Sequence, residues 1–473
     1  MTTARSIASN FSVQLFGKIL SVVIGLLSVA ILTRALGASA FGEYTTTLTY
    51  LQMFGVVVDF GLTLTLIVMI SKPGIDEERI VGNFFGLRLV SGFVMFSLAP
   101  LLVLALPWSE TIRTAVLVGA LAYFLMGSAS MLLGVFQRHE AMWRAALAEL
   151  VNRTVLLGLV ALFAYSSPGV VEMVFAMVIA NAVWLILMVQ LASPFVKIRP
   201  LFEWSQWMFI LAHSWPIAIS MIFNLLYLKG DILFLAYFRD QAEVGLYGAA
   251  YRILDVMTVL PTMLMGLVLP SLVAMWSTGQ KEEFRARVVR IFDVFALAVV
   301  PVVVGAQLVS SELMTFIAGS DFAASGPILT WLILALIGVF LGTLYGHLVV
   351  ALNKQKIMTW GYVFVAVIAI VGYLLYIPPY GMWGAVGVTL LSEALIALLT
   401  FFVVFKTSGA TPKLTVLFKA IIASTIMYLV LVGLDVPVLI DLLVGGIVYI
   451  CALFVLRAVT MKELKAILRP NAG

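Results

Sequence analysis

From about residue 10 to residue 457 the chain is a succession of apolar runs, each roughly twenty residues long and separated by short polar or Gly/Pro-bearing breaks. A helix of that length crosses about 30 Å of hydrocarbon, and coiling satisfies its backbone N–H and C=O groups internally. Counting the runs predicts about fourteen spans, at 10–33, 43–70, 82–106, 112–135, 144–165, 170–192, 208–236, 245–274, 288–309, 327–351, 357–377, 383–405, 415–433 and 438–457. With 63% hydrophobic and only 11% charged residues, no stretch is left for a soluble domain. The expected class is an all-α polytopic membrane protein. Arg5 ahead of the first run and Ala38-Ser39-Ala40 after it imitate a secretory signal, but the run is too long for one and Lys18 interrupts it. A retained first span is expected.

Basic residues set the orientation. Arg5, Lys72, Arg79, Arg138, Arg144, Lys197, Arg199, the cluster Lys281 to Arg290, Lys354, Lys356, Lys406, Lys413, Lys419 and the tail from Arg457 to Arg469 fall on one side of an even-numbered topology. Only Arg34, Arg113 and Arg239 fall on the other. That bias predicts both termini in the cytoplasm. Seven tryptophans, among them Trp108, Trp143, Trp207 and Trp276, fall near span ends, where amphipathic rings favour the interface.

Polar residues inside the spans are patterned. His213, Ser220, Asn224, Tyr227 and Asp231 share one helical face, and Gly248, Arg252, Asp255 and Thr262 repeat the rhythm in the next span. Asn10, Gln14, Lys18, Ser21, Gly25 and Ser28 stripe the first span, and Thr45, Thr49, Gln52, Asp59 and Thr63 the second. Setting Phe41-Gly42-Glu43-Tyr44 against Val244-Gly245-Leu246-Tyr247 gives an offset of 203, at which Asn10 meets His213, Ser21 meets Asn224, Ser28 meets Asp231 and Gln52 meets Asp255. Phe136 to Met142 and Leu352 to Met358 form a second matched pair, each joining a fourth span to a fifth. Both halves start on the same side with six spans each, so a parallel repeat is expected: an N-lobe at 1–200, a C-lobe at 201–407, and two extra helices with a tail at 408–473.

The single cysteine, Cys451, excludes an intrachain disulfide framework, and three scattered histidines offer no metal cluster; no cofactor or metal is expected. The net charge of +5 is spread through short loops, which argues against nucleic acid. No GxxxxGK[ST] loop is present, so any drive must come from an ion gradient or from product consumption. The loop around Ser310 to Pro327 is short and carries no evident catalytic set, so no enzyme is expected.

The opening from Asn10 through Leu36-Gly37-Ala38-Ser39-Ala40-Phe41-Gly42-Glu43-Tyr44, then Asp59-Phe60-Gly61-Leu62, resembles the start of the Wzx-type polysaccharide-biosynthesis flippases. These belong to the superfamily that also holds multidrug/toxic-compound extruders and lipid II flippases. Asp231-Ile232, Val244-Gly245-Leu246-Tyr247 and Ala351-Leu352-Asn353-Lys354-Gln355 extend the resemblance over essentially the whole chain. It implies two six-helix lobes whose first two helices line a central cavity, in the bacterial inner membrane. The implied cargo is an undecaprenyl-pyrophosphate-linked oligosaccharide for O-antigen, capsule or exopolysaccharide, moved to the periplasmic leaflet by alternating access. Membrane lipids and polysaccharide polymerase machinery are the implied partners. An ion-coupled multidrug antiporter or a lipid II flippase are the alternatives on the same fold.

On that reading a pyrophosphate crossing a low-dielectric layer needs cationic partners. Lys18, Lys229 and Arg252 are the expected contacts, with Arg88 a fourth. Asn224, Gln52, Asp231 and Asp255 complete the expected substrate set, although Asp255 could instead neutralise Arg252 and Asp231 could neutralise Lys229. Asp59, with no basic neighbour at helical spacing, and Glu393, mid-span, are the expected proton or sodium coupling sites. Glu149 and Arg153, four apart, are expected to satisfy one another, with Asn152 free to bond across helices.

Overall fold

The computed structural model describes residues 4–71 and 74–458, without the side chains of 4–16, 18, 19, 216, 217 and 220. Lys18 therefore lies outside the described residues, as do Asn10, Gln14 and Ser220 of the polar stripes and Arg5, Lys72, Lys462, Lys465 and Arg469 of the basic ends. The described residues form helices and connections only: α1 (Ala4–Asp59), α2 (Leu62–Ile70), α3 (Glu77–Leu102), α4 (Glu110–Met131), α5 (Leu133–Arg138), α6 (Met142–Ser166), α7 (Val170–Ala192), α8 (Trp204–Phe238), α9 (Gln241–Ser277), α10 (Lys281–Ala318), α11 (Ser325–Leu332), α12 (Ala335–Ala351), α13 (Gln355–Tyr380), α14 (Met382–Ser408), α15 (Thr415–Val432) and α16 (Val438–Val455). Among them 13 stretches are long and apolar enough to cross a membrane. The first, Leu20–Ile70, has 51 residues, enough for two crossings at 1.5 Å per residue, so the expected fourteen are accounted for.

Local chemistry sets the ends and breaks. The Asp76 and Ser109 side chains accept the backbone N–H groups of Arg79 and Ile112, capping α3 and α4. Gly37, at φ 69°, turns α1 sharply where two separate spans are expected. The expected span 43–70 is itself broken, because Phe60 (φ 44°) and Gly61 (φ 73°) leave the helical region between α1 and α2. The two matched connections both close through a left-handed residue, Glu140 and Asn353, with Ala141 N bonded to Phe136 O and Lys354 N to Val349 O. Turn geometry thus matches them at an offset of 213, which corrects by three residues the offset of 216 at which the sequence sets Phe136 against Leu352.

The chain forms two compact units. The first comprises Met1–Gly248, Ile317–Asp321 and Ile370–Ala385. In it α1 packs on α3, α4, α6, α7 and α8, and α4 on α7. Leu66, Val81, Phe84, Leu132 and Phe136 form its apolar core. Polar groups find partners on other helices, Asn152, Asn181 and Tyr123 from within their spans and Trp108 from the connection before α4: Asn152 Nδ2 donates to Asn181 Oδ1 (3.1 Å), Asn181 Nδ2 to Ala122 O (3.0 Å), Tyr123 Oη to Leu48 O (2.8 Å) and Trp108 Nε1 to Ala236 O (2.9 Å). The expected cross-helix bond of Asn152 is thus made, and Glu149 and Arg153 approach to 3.9 Å. Outside the spans, hydrogen bonds from Arg79 and then Asn83 hold the Glu203 carboxyl below the usual carboxylate range. That contact contributes at neutral pH and fades as pH falls through the lowered value.

The second unit comprises Ala249–Phe316, Phe322–Ala369 and Val386–Gly473. Here α15 and α16 pair, and Tyr449 Oη on α16 donates to Leu297 O on α10 (2.9 Å). Met427, Tyr449 and Leu453 with Leu297 and Leu308 form its apolar cluster.

The two glycines aligned at offset 203 meet in the first unit. A Cβ built on Gly42 would lie 1.7 Å from Gln241 O and 3.0 Å from Gly245 N; one on Gly245 would lie 1.9 Å from Ala38 O and 3.0 Å from Gly42 N. Only hydrogen fits at this backbone-to-backbone crossing. Gly42→Val is expected to destabilise the protein by at least about 1–3 kcal/mol, read as a lower thermal midpoint in detergent. Gly25→Ala, with nothing within 4 Å of its Cβ, should leave the midpoint unchanged or raise it. Equal midpoints for the two variants would contradict the packing described.

Candidate functional site

Charges inside the spans fall into separate groups. The first is built on the break between α1 and α2. Asp59 ends α1, where unpaired helix carbonyls already gather negative charge. Its Oδ1 accepts the Thr63 hydroxyl at 2.7 Å and faces Arg88 Nη1 of α3 at 3.3 Å. The Arg88 side chain is 5% exposed and that of Asp59 15%. Gly127 on α4 makes room for the guanidinium, since a Cβ there would come within 2.6 Å of Arg88 Nη2. The expectation of an unpaired Asp59 is corrected: its cation comes from another helix, which spacing along its own helix cannot reveal. Arg88, expected at the substrate, is engaged with that carboxylate.

The second group runs along α8. Asn224 Nδ2 donates to Tyr227 Oη at 3.1 Å, and Tyr373 Oη of α13 donates to Tyr227 O at 2.8 Å. Asp231 is 0% exposed; its Oδ2 accepts the Tyr247 hydroxyl at 2.5 Å and its Oδ1 the Ile232 N–H at 2.8 Å. A buried carboxylate is tolerated here because a phenol and a backbone amide solvate it. Lys229 is half-buried on the same helix. Expectation reached Asn224, Tyr227 and Asp231 but not Tyr247 or Tyr373. Tyr247 stood in the aligned motif Val244-Gly245-Leu246-Tyr247, whereas nothing in the sequence marked Tyr373.

In the second unit Arg252 Nη1 lies 4.0 Å from Asp255 Oδ2 on α9, and their side chains are 35% and 37% exposed. Glu393 is buried on α14, where Gly338 of α12 crosses it closely. In the first unit Gln52 is half-buried, and His213 is exposed with Nδ1 against Phe209 O at 2.8 Å. The structure thus brings together Asp59 with Arg88, Asn224 with Tyr227, and Arg252 with Asp255.

The family profile described as polysaccharide biosynthesis protein matches residues 5–276. The probable low-salt glycan biosynthesis flippase Agl15 of Haloferax volcanii is 23% identical over 409 residues, covering 83% of this chain and 82% of the relative. Among solved structures, the lipid II flippase MurJ in an inward closed conformation superposes with a TM-score of 0.78 at 15% identity, over 98% of this chain and 99% of that one. An inward-facing multidrug resistance MATE family transporter of the MOP superfamily gives 0.67 at 13% identity, over 85% and 98%. Those likenesses establish the fold.

If the Arg88 and Asp59 pair is what makes both charges tolerable, Arg88→Met should cost about 3–5 kcal/mol by stranding a carboxylate. The double variant Arg88→Met with Asp59→Asn should recover much of that loss, and thermal midpoints of the two singles and the double measure the coupling. Simple additivity of the two losses would rule the pair out as the stabilising element.

Proposed function

Because the chain belongs to the polysaccharide biosynthesis protein family, we propose that it is a flippase for undecaprenyl-pyrophosphate-linked oligosaccharide repeat units, serving surface-glycan synthesis. In this reading it sits in the bacterial inner membrane with both termini in the cytoplasm and moves its cargo to the periplasmic leaflet by alternating access. No bond is made or broken. The glycan is carried through a polar path that spares it the cost of entering hydrocarbon, while the polyprenyl tail stays in the bilayer. The glycan-flippase name of the Haloferax relative supports this reading.

The observation that carries it is Arg252. A half-exposed guanidinium deep in an apolar span, held only loosely by Asp255, is costly against lipid and useful against an anionic cargo. In the proposal Arg252 meets the pyrophosphate, aided by Lys18 and Lys229, while Asn224 and Gln52 meet sugar hydroxyls. Asp231, engaged by Tyr247, holds the α8 end of the path in shape. For coupling, Asp59 would take up a proton or sodium ion only as its Arg88 contact opens; Glu393 is the other proposed coupling group.

Transbilayer movement of a fluorescent polyprenyl-pyrophosphoryl oligosaccharide in proteoliposomes tests the proposal. Protein-dependent movement is expected, falling at least tenfold in Arg252→Ala, the loss that corresponds to one charge-assisted contact of about 1.5–3 kcal/mol. A gradient dependence that survives both Asp59→Asn and Glu393→Gln would remove those two from coupling. Movement of lipid II alone, or gradient-driven ethidium uptake without lipid movement, would replace the reading with one of the other activities found on this fold.

A further inference from the structure

The second unit holds a crevice of about 520 Å³ that none of the proposed substrate contacts lines; of the groups named above only Glu393, proposed for coupling, borders it. Its walls are Leu334, Ile337, Gly338, Leu341 and Tyr345 before and along α12, and Leu390, Glu393, Ala394, Ala397, Leu398 and Phe401 on α14; Phe292 of α10 and Pro412 and Leu414 of the connection to α15 complete it. The two long walls run in the same direction. Gly338 lies against Glu393, Gly342 against Ile396, and Tyr345 meets the Phe401 ring edge-on at 5.2 Å. The slot therefore follows the helices for roughly two turns, about 10 Å, from mid-span towards the end where the basic connections gather. Ile337, Leu398 and Leu414 are exposed along it, as lipid-facing side chains are.

Three polar groups disturb this apolar surface: Glu393, already proposed for coupling, Tyr345, and Asp293 next to the lining residue Phe292. Tyr345 is 2% exposed, lines the slot, and its hydroxyl has no hydrogen-bond partner. A buried unmet hydroxyl costs about 1–3 kcal/mol, and more surely so where water is scarce. At the mouth, beside Phe292, a buried Asp293 Oδ1 is likewise without a partner. One cation stands near it. Lys413, between the lining residues Pro412 and Leu414, is close enough for its charge to act on Asp293. Arg285 is fixed at the same end, Nε donating to Ser408 O at 2.7 Å and Nη1 to Glu282 Oε1 at 3.0 Å, with Nη2 beside Gly409.

We propose that this crevice is a binding site for a phosphatidylethanolamine molecule of the adjoining leaflet. One acyl chain fills the apolar slot, the ester region receives the Tyr345 hydroxyl, the phosphate meets Lys413 with Arg285 Nη2 nearby, and the ammonium donates to Asp293. An apolar slot explains the chain, and the unmet hydroxyl explains a carbonyl at that depth. The pairing of a cation with a carboxylate oxygen that has no partner favours a zwitterion whose cation can donate; choline cannot donate N–H, and the hydroxyls of phosphatidylglycerol offer Asp293 only neutral donors, weaker towards a carboxylate than an ammonium. The site is independent of which lipid-linked cargo is carried.

The test is native mass spectrometry of the full-length protein in detergent with equimolar deuterated phosphatidylethanolamine, phosphatidylcholine and phosphatidylglycerol. Phosphatidylethanolamine should be retained at least threefold over either competitor. Tyr345→Phe, which removes one hydroxyl, should lower that retention about threefold, the measure of one hydrogen bond. Ala394→Trp places a ring in the slot from an exposed position that the fold does not need, and should lower retention at least as much. Equal retention of the three lipids, preference for phosphatidylglycerol, or retention unmoved by both substitutions would overturn the proposal.

Discussion

Every polar group placed in hydrocarbon must be answered by another part of the protein, and the architecture follows from that requirement. The backbone answers itself by coiling, which is why the described spans are helical. Side chains cannot do so alone. Asp59 is answered by Arg88 and Thr63, Asp231 by Tyr247, and Asn152 by Asn181, which in turn reaches Ala122 O. Each of these bonds fixes one helix against another more sharply than apolar packing could, because lipid tails compete equally well for apolar faces.

One of these groups, Asp59, is delivered where a helix fails, whereas Asp231, Asn152 and Asn181 lie within helices. Phe60 and Gly61 break the second span directly after Asp59, so the carboxylate stands at a helix end instead of within a continuous wall. Gly37 turns the first helix, and Gly42 and Gly245 then let backbones touch. Left-handed dihedrals also close the connections at Glu140 and Asn353, and between such points the described spans are helical. A transport cycle needs such a division, since rigid elements can move as bodies only if the yielding points are few.

Arg252, like Arg153 on α6, is held differently from Arg88. Its partner is one turn away on the same helix, the contact is long, and both side chains are half-exposed. Arg88 by contrast is enclosed, with the glycine opposite shaped to receive it. One arginine is enclosed by its surroundings and the other is open to them.

The sequence by itself determined the class, the number of crossings and the positions of the polar stripes. Those properties follow from hydropathy and from periodicity along a single helix, both of which are local. It also showed the repeat that pairs Gly42 with Gly245. Only the tertiary structure decided who answers whom. Arg88 reaches Asp59 from 29 residues away, and Tyr373 reaches Tyr227 from 146 away, on helices whose mutual rotation no spacing rule contains. The break at Phe60 escaped notice because a phenylalanine at positive φ is held there by its surroundings and not by its own preference. Contacts along one helix can be read from a sequence, whereas contacts between helices depend on how whole faces pack, and that is settled only when the chain has folded.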